Sequence, residues 1–172
     1  PGDVESVLKT LPRDGHPMDW LSVGIHTLGM LETTNDWRAD AMNLIARMPR
    51  LMGLIFRIRD GRAEEIPADD PQASLVDRFV NALDLKGVDK EKMTRVISTY
   101  LVLHMDHGGG NLSTFSGKAI ASGHATLYSS MAGAMNALSG PLHGRANQSC
   151  LEFVLRVGTS DPAEVERFVR AE

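Results

Sequence analysis

The sequence predicts an all-α protein, and three observations support that prediction. Apolar residues recur at three- and four-residue steps through most of the 172 residues, whereas the alternation of a half-buried strand is scarce. Helix-starting patterns recur, of which Asp161-Pro162-Ala163-Glu164 resembles a capping box with proline at its first helical position. Glycine and proline separate the periodic segments without any internal repeat. We therefore expect one multi-helical domain over residues 1–172.

The periodic segments define the expected helices in chain order. They lie at 4–11, 17–31, 36–48, 50–58, 73–84, 90–104, 112–138, 145–157 and 162–171. Pro17 suits a first helical turn, where its missing N–H is harmless. Pro49 should kink or end its helix, because proline cannot donate to the carbonyl four residues back. Asp89 is a natural N-cap, and the three glycines at 108–110 should end the helix that follows it.

Two segments have a distinctive composition. Residues 60–71 combine glycine, proline and charge without an apolar face, which predicts a surface connection. Between Ser113 and Gly140, 16 of 28 residues are Gly, Ala or Ser. We call residues 113–138 the small-residue segment. Its small side chains allow helices to approach closely, either in the centre of the domain or at a subunit interface, and composition alone does not separate these two interpretations.

Charge and cysteine content exclude several classes of protein. The 18 Lys+Arg and 22 Asp+Glu give a net charge of −4, which argues against nucleic acid as the main partner. A single cysteine, Cys150, excludes an internal disulfide framework and a cysteine-rich zinc module, and it suits a reducing compartment such as the cytoplasm. No apolar run reaches the length of a membrane span, so we expect no membrane insertion.

His104 and His107 are three residues apart at the end of a predicted helix, so both rings lie on roughly one face. A metal site needs further ligands, and no second carboxylate or histidine pair stands nearby at ligand spacing, so we expect no metal. Two interpretations remain open. The histidines can bind an anionic substrate, or they can simply cap the helix C-terminus.

His143 lies between glycine and proline residues in a turn that leads into a helix. A helix N-terminus favours the neutral imidazole, because its positive end disfavours a second positive charge. A neutral histidine can donate an N–H to a carbonyl that becomes an enolate, as in one of the best-known isomerases. A purely structural histidine is the alternative.

Together these motifs resemble citrate synthase. The resemblance rests on HMDHGGGNLS at 104–113 and on GPLHGRANQ at 140–148. The early His16-Pro17-Met18 and the helical run through Met48-Pro49 fit the same family in the same order. The resemblance spans nearly the whole chain, and it implies the helical fold of the family's large domain.

The resemblance also implies roles for individual residues. His143 would be the catalytic histidine that hydrogen-bonds the acetyl-CoA thioester carbonyl and stabilises its enolate. Ser113 would hold the His143 ring in position. His107 would contact oxaloacetate, with His104 and Asn111 shaping that site less directly. Acetyl-CoA would be a co-substrate, and no tightly bound cofactor is expected.

Other parts of the family's active site have no counterpart here. The catalytic aspartate, a second histidine and the carboxylate-binding arginines lie in the family's C-terminal portion, and family members are more than twice as long. We therefore expect a truncated large domain without the small domain, inactive alone, that dimerises through the small-residue segment. The alternatives are 2-methylcitrate synthase, which uses propionyl-CoA, and a non-catalytic helical dimerisation module.

Overall fold

The computed structural model describes residues 2–105 and 108–172, and this part of the chain is helical without strands, which confirms the all-α prediction. The helices are α1 Gly2–Lys9, α2 Pro17–Glu32, α3 Trp37–Arg59, α4 Leu75–Leu83, α5 Lys90–His104, α6 Leu112–Ser122, α7 Leu127–Leu138, α8 Ala146–Val157 and α9 Pro162–Ala171. Within the predicted surface connection at 60–71, the structure adds one short 3-10 turn, Ala63–Glu65.

Side-chain caps start the helices where the sequence indicates. Asp89 accepts a hydrogen bond from the backbone N–H of Lys92 and starts α5. Asp161 accepts from the N–H groups of Ala163 and Glu164, ahead of Pro162 at the first position of α9. Each cap satisfies donors that have no partner within the helix.

Pro49 does not end its helix, so the expectation of two separate helices was wrong. The two helices expected on either side of it form one 23-residue helix, α3, with Pro49 buried inside it. Proline in a helix interior costs about 3 kcal/mol. Leu44 and Leu51, on the two sides of Pro49, are both buried in the core. Their burial holds the two segments in one helix and offsets the lost hydrogen bond.

The small-residue segment is two helices instead of one, so the single helix expected over 112–138 was also wrong. A turn at 123–126 separates α6 from α7, and His124 adopts a left-handed φ of 59° in it. Thr126 then caps α7 by accepting from the N–H of Ser129. The chain therefore folds back, and α6 packs on α7 as a helical hairpin.

The core lies where α2, α3 and α7 meet. Its largest fully buried side chains are Trp20 of α2 and Tyr128 of α7, both at most 2% exposed. Close approach is possible because Gly29 faces Tyr128; a Cβ at Gly29 would lie 2.4 Å from the Tyr128 Cβ. The central interpretation of the small-residue segment thus holds for one of its two helices. α7 is central to the domain, whereas α6 has no buried residue.

Candidate active site

His143 lies in a tight turn between α7 and α8. Its N–H donates to the Gly140 carbonyl at 3.0 Å, and the Gly144 N–H donates to the Leu138 carbonyl at 2.9 Å. Glycine is required at 144, because a Cβ there would lie 2.4 Å from the Leu138 oxygen. The Arg145 guanidinium donates to the Ser139 carbonyl and closes the turn from its other end. The backbone that carries His143 is therefore fixed on both sides.

The N-terminus of α6 lies opposite this turn and is organised by Asn111. The Asn111 Oδ1 accepts the backbone N–H of Thr114 at 2.9 Å, which is a standard N-cap. Its Nδ2 donates to the Gly108 carbonyl at 2.9 Å. These two bonds fix which side of the amide carries the oxygen, and they tie the glycine run to the helix start.

The His143 ring contacts α6 through one nitrogen only. The backbone N–H of Ser113 donates to Nε2 at 3.3 Å, and the Ser113 hydroxyl oxygen lies 3.0 Å from the same atom. That hydroxyl also lies 2.7 Å from Asn111 Oδ1 and can donate its proton to either acceptor. A backbone N–H can only donate, so Nε2 must present its lone pair. The proton of the neutral ring is therefore on Nδ1.

This arrangement makes His143 a preorganised hydrogen-bond donor. None of the hydrogen bonds within the described part of the chain uses its Nδ1. An N–H that is fixed before the substrate arrives stabilises negative charge on a carbonyl oxygen without reorganisation. The geometry thus suits the polarisation of a carbonyl.

Among the described residues, His104 makes no hydrogen bond to the cluster formed by His143, Ser113 and Asn111. Its Nδ1–H donates to the carbonyl of Tyr100, one turn earlier in α5, at 2.7 Å. Its ring stacks on the Tyr100 ring with centroids 3.9 Å apart, and both side chains are exposed. This is the helix-capping geometry that the sequence left open beside a substrate role. His107 and Asp106 lie outside the described residues.

Carboxylates take no part in the described cluster. In residues 2–105 and 108–172, no acidic side chain hydrogen-bonds the His143 ring, and no three His, Cys, Asp or Glu side chains come together as a metal site would require. Asp161, the last aspartate of the sequence, accepts the two N-cap hydrogen bonds of α9 through its Oδ1. None of the helices in these ranges has the length and hydropathy needed to cross a membrane.

Comparison with known proteins identifies the family. The family model described as "Citrate synthase, C-terminal domain" matches residues 1–172. The chain belongs to the citrate synthase family. Its similarity to relatives is 32% identity to a peroxisomal citrate synthase of Saccharomyces cerevisiae over 90% of this chain and 36% of that protein. Citrate synthase 4, mitochondrial, of Arabidopsis thaliana is 31% identical over 91% of this chain and 35% of its own length.

Solved citrate synthase structures share the fold. The crystal structure of the Thermotoga maritima citrate synthase matches with a TM-score of 0.79 and 27% identity, over 99% of this chain and 44% of that one. A ternary complex of the Thermoplasma acidophilum citrate synthase with carboxymethyl coenzyme A and oxaloacetate matches with a TM-score of 0.82 and 27% identity, over 100% of this chain and 45% of that one. The chain therefore spans less than half of these structures, and 36% or less of the two named relatives.

Within this citrate synthase fold, two residues on the segments around the site were missed by the sequence reasoning. Arg145 closes the turn that carries His143, yet no periodicity or spacing distinguishes it from a solvent-exposed arginine. Lys118 is the seventh residue of α6, and its Nζ would be 2.8 Å from a Cβ at Gly109. The run of glycines was the available signal, because it leaves room for a side chain that arrives from elsewhere.

Proposed function

We propose that this chain contributes the acyl-CoA-activating part of a citrate synthase, which condenses acetyl-CoA with oxaloacetate. The observation that carries the proposal is the His143 ring, fixed on Ser113 through Nε2, with an Nδ1–H that no hydrogen bond among the described residues uses. Family membership and the similarity to a citrate synthase solved with a coenzyme A analogue and oxaloacetate support the choice of substrates.

His143 would act as the donor to the thioester carbonyl. The methyl group of a thioester is a very weak acid, and its deprotonation places negative charge on the carbonyl oxygen. The Nδ1–H stabilises that oxygen while a base removes the methyl proton. The carbon then attacks the oxaloacetate ketone, and hydrolysis of the resulting citryl-CoA thioester gives citrate and free CoA.

Ser113 and Asn111 support this donor, whereas His104 and His107 are proposed for oxaloacetate. Ser113 holds Nε2 through its backbone N–H, and Asn111 holds the Ser113 hydroxyl and the start of α6. A role for His104 in oxaloacetate binding requires its Nε2, since its Nδ1 is committed to Tyr100. His107 keeps the role that the family motif implies. Acetyl-CoA is proposed as a co-substrate, with no tightly bound cofactor.

We further propose that the 172-residue chain alone does not catalyse the condensation of acetyl-CoA with oxaloacetate. General acid–base catalysis needs a base beside the donor, and the one aspartate that follows His143 in the sequence, Asp161, is an N-cap. Free thiol released from acetyl-CoA in the presence of oxaloacetate measures the reaction. We expect no release from the chain itself; turnover that His143→Ala abolishes would contradict this.

A protein that contains this chain together with the family's remaining catalytic groups should be active. There we expect His143→Ala to reduce kcat by about 10²–10³-fold, the usual cost of removing an oxyanion donor. His26→Ala, which removes an exposed histidine of α2, is the matched control and should leave kcat unchanged. Equal rates for wild type and His143→Ala would overturn the role of His143. Propionyl-CoA, assayed side by side, separates 2-methylcitrate synthesis from citrate synthesis.

A homodimer through the small-residue segment is proposed as the working assembly. The α6 helix has no buried residue within the described structure, and its Leu112 and Phe115 side chains are 55% and 65% exposed. Apolar side chains of that size on a close-packing helix suit contact with a second copy. The cytoplasm is likewise a proposal, which rests on the one free cysteine; the two named relatives are a peroxisomal and a mitochondrial protein.

A further inference from the structure

An unusual residue caps α2. The N-cap position is occupied by His16, where Ser, Thr, Asp or Asn is the common choice. Its Nδ1 accepts the backbone N–H of Met18 at 3.2 Å. Because Nδ1 must present its lone pair to this donor, the proton of the neutral ring is on Nε2. An aspartate cap would serve α2 equally well, but an ionised carboxylate has no proton to donate in a second hydrogen bond.

That second hydrogen bond joins His16 to α8. The His16 Nε2 lies 3.0 Å from the side-chain oxygen of Gln148, which is 132 residues away in sequence. The Gln148 amide nitrogen donates in turn to Glu152 Oε1 at 2.9 Å, and this bond directs the amide oxygen toward His16. The donors and acceptors along the chain Met18–His16–Gln148–Glu152 therefore all match.

The α8 helix has few other attachments. It contains no buried residue, and its other described side-chain contacts stay within α8 or lead to α9. Arg156 pairs with Glu172 at 3.0 Å, and Phe153 meets Phe168 edge to face at 5.7 Å. The bond between His16 and Gln148 thus connects the first turn of α8 to the core helix α2.

The position of α8 bears directly on His143. The Ala146 N–H, at the first position of α8, donates to the His143 carbonyl at 3.1 Å, and the Ser149 N–H donates to the Arg145 carbonyl at 3.1 Å. The last residues of the turn are therefore the first residues of the helix. A shift of the first turn of α8 moves the His143 backbone, and with it the distance from Nε2 to Ser113.

We propose that His16 is a positioning residue for His143, which acts through Gln148 and the first turn of α8 to keep the His143 Nε2 against the Ser113 N–H. Its importance for catalysis rests on the function proposed above. The effect of His16 on the His143 ring does not depend on that function, because the tautomer of the ring can be observed without catalysis.

Nitrogen-15 chemical shifts of the histidine rings test this in the 172-residue chain, at about pH 8 where ordinary histidines are neutral. His16→Asn retains an N-cap for the Met18 N–H but is too short to reach Gln148. Gln148→Met keeps the length of the side chain and removes its amide. In the paired exchange Gln148→Glu with Glu152→Gln, an acceptor still faces His16. His26→Asn, on the exposed face of α2, is the matched control.

We expect the wild-type His143 to show the Nδ1–H tautomer. His16→Asn and Gln148→Met should each raise the population of the Nε2–H tautomer of His143 several-fold. The paired exchange and His26→Asn should leave the His143 nitrogen-15 shifts at their wild-type values. Unchanged His143 shifts in His16→Asn and Gln148→Met would overturn the proposal, as would an equal change in His26→Asn. Loss of folding in either variant would also overturn it, since the bond would then support the fold and not the ring.

The outcomes also separate this proposal from the proposed function. If the shifts change as expected but an active protein containing the chain tolerates His143→Ala, the positioning is correct and the catalytic role is wrong. If His143→Ala abolishes activity but the His143 nitrogen-15 shifts are the same in wild type and His16→Asn, the catalytic role is correct and the positioning is wrong.

Discussion

At the scale of single residues, the structure assigns partners that the sequence pattern does not indicate. The sequence pattern places Asp40 within the expected helix at 36–48 and assigns it no partner. It is instead a carboxylate only 2% exposed, which accepts hydrogen bonds from the Thr34 N–H and from the hydroxyls of Thr33 and Thr34, each at 2.8 Å. The bond from the Thr34 N–H, followed by the two hydroxyls, holds the pKa of Asp40 below its usual value despite burial.

This shift gives a pH dependence with a defined sign. A depressed folded-state pKa stabilises the fold above the unfolded pKa of about 3.9, and that contribution is lost as pH falls below it and through the folded-state pKa. We expect Asp40→Asn to lower the free energy of unfolding at pH 7 and to flatten its decline below about pH 4. Urea unfolding at a series of pH values measures both. Asp19→Asn, an exposed change on α2, should alter neither.

The Tyr128 hydroxyl supplies a second prediction at this scale. The side chain is 0% exposed, and its hydroxyl has no hydrogen-bond partner within residues 2–105 and 108–172. Burial also raises the pKa of Tyr128. Because a buried hydroxyl without a partner costs about 1–3 kcal/mol, Tyr128→Phe should raise the free energy of unfolding by about 1 kcal/mol. A clear loss of stability in chemical denaturation would show that the hydroxyl has a partner in solution.

At the scale of helices, local sequence patterns predicted where a helix begins better than where it continues or breaks. Asp89 and Asp161 are caps as expected, because a cap depends on residues within one turn. The helix end predicted at Pro49 was wrong, because the burial of α3 against α2 and α4 outweighs the local free-energy cost of proline in a helix. The break at 123–126 was missed for the opposite reason. It carries no proline, and its left-handed residue is His124, which no propensity marks as a turn.

Glycines at helix contacts explain how these elements pack. Gly53 of α3 faces Ala82 of α4, and a Cβ at position 53 would lie 2.4 Å from the Ala82 Cβ. Alanine in a helix interior is normally favoured over glycine by about 1 kcal/mol. Here the overlap should reverse the sign, and we expect Gly53→Ala to cost about 2 kcal/mol of stability.

Thermal or urea unfolding tests this expectation. Gly110→Ala is the control, since no atom lies within 4 Å of a Cβ built there. A Gly53→Ala variant as stable as wild type would mean that α3 and α4 separate at little cost.

At the scale of the whole molecule, the burial is uneven. The core of α2, α3 and α7 is closed, whereas α5, α6, α8 and α9 have no buried residue in the described structure. Large apolar side chains lie on these outer helices, among them Leu103 at 74% and Leu155 at 70% exposure. Since the chain spans only 36% or less of the two named relatives, such faces are the places where further protein surface is expected to pack.

The proposed dimer is tested at this scale. Phe115→Asp places a charge in the α6 face and should shift a dimer to monomer in sedimentation velocity at concentrations where wild type is dimeric, with unfolding unchanged. Met42→Asp, an equally exposed site on α3 outside the small-residue segment, is the control. A wild-type chain that sediments as a monomer at all accessible concentrations would contradict the dimer for this chain.

The sequence by itself determined the helical class, most helix starts, the family and the two motifs that contain Ser113 and His143, because these depend on periodicity, caps and contiguous residues. The tertiary structure alone decided that Ser113 holds Nε2, that His104 lies on Tyr100 instead, and that His16 reaches Gln148. Such pairings join residues as many as 132 positions apart. They depend on how α2, α6 and α8 pack around a common core, and no local pattern in the chain encodes that packing.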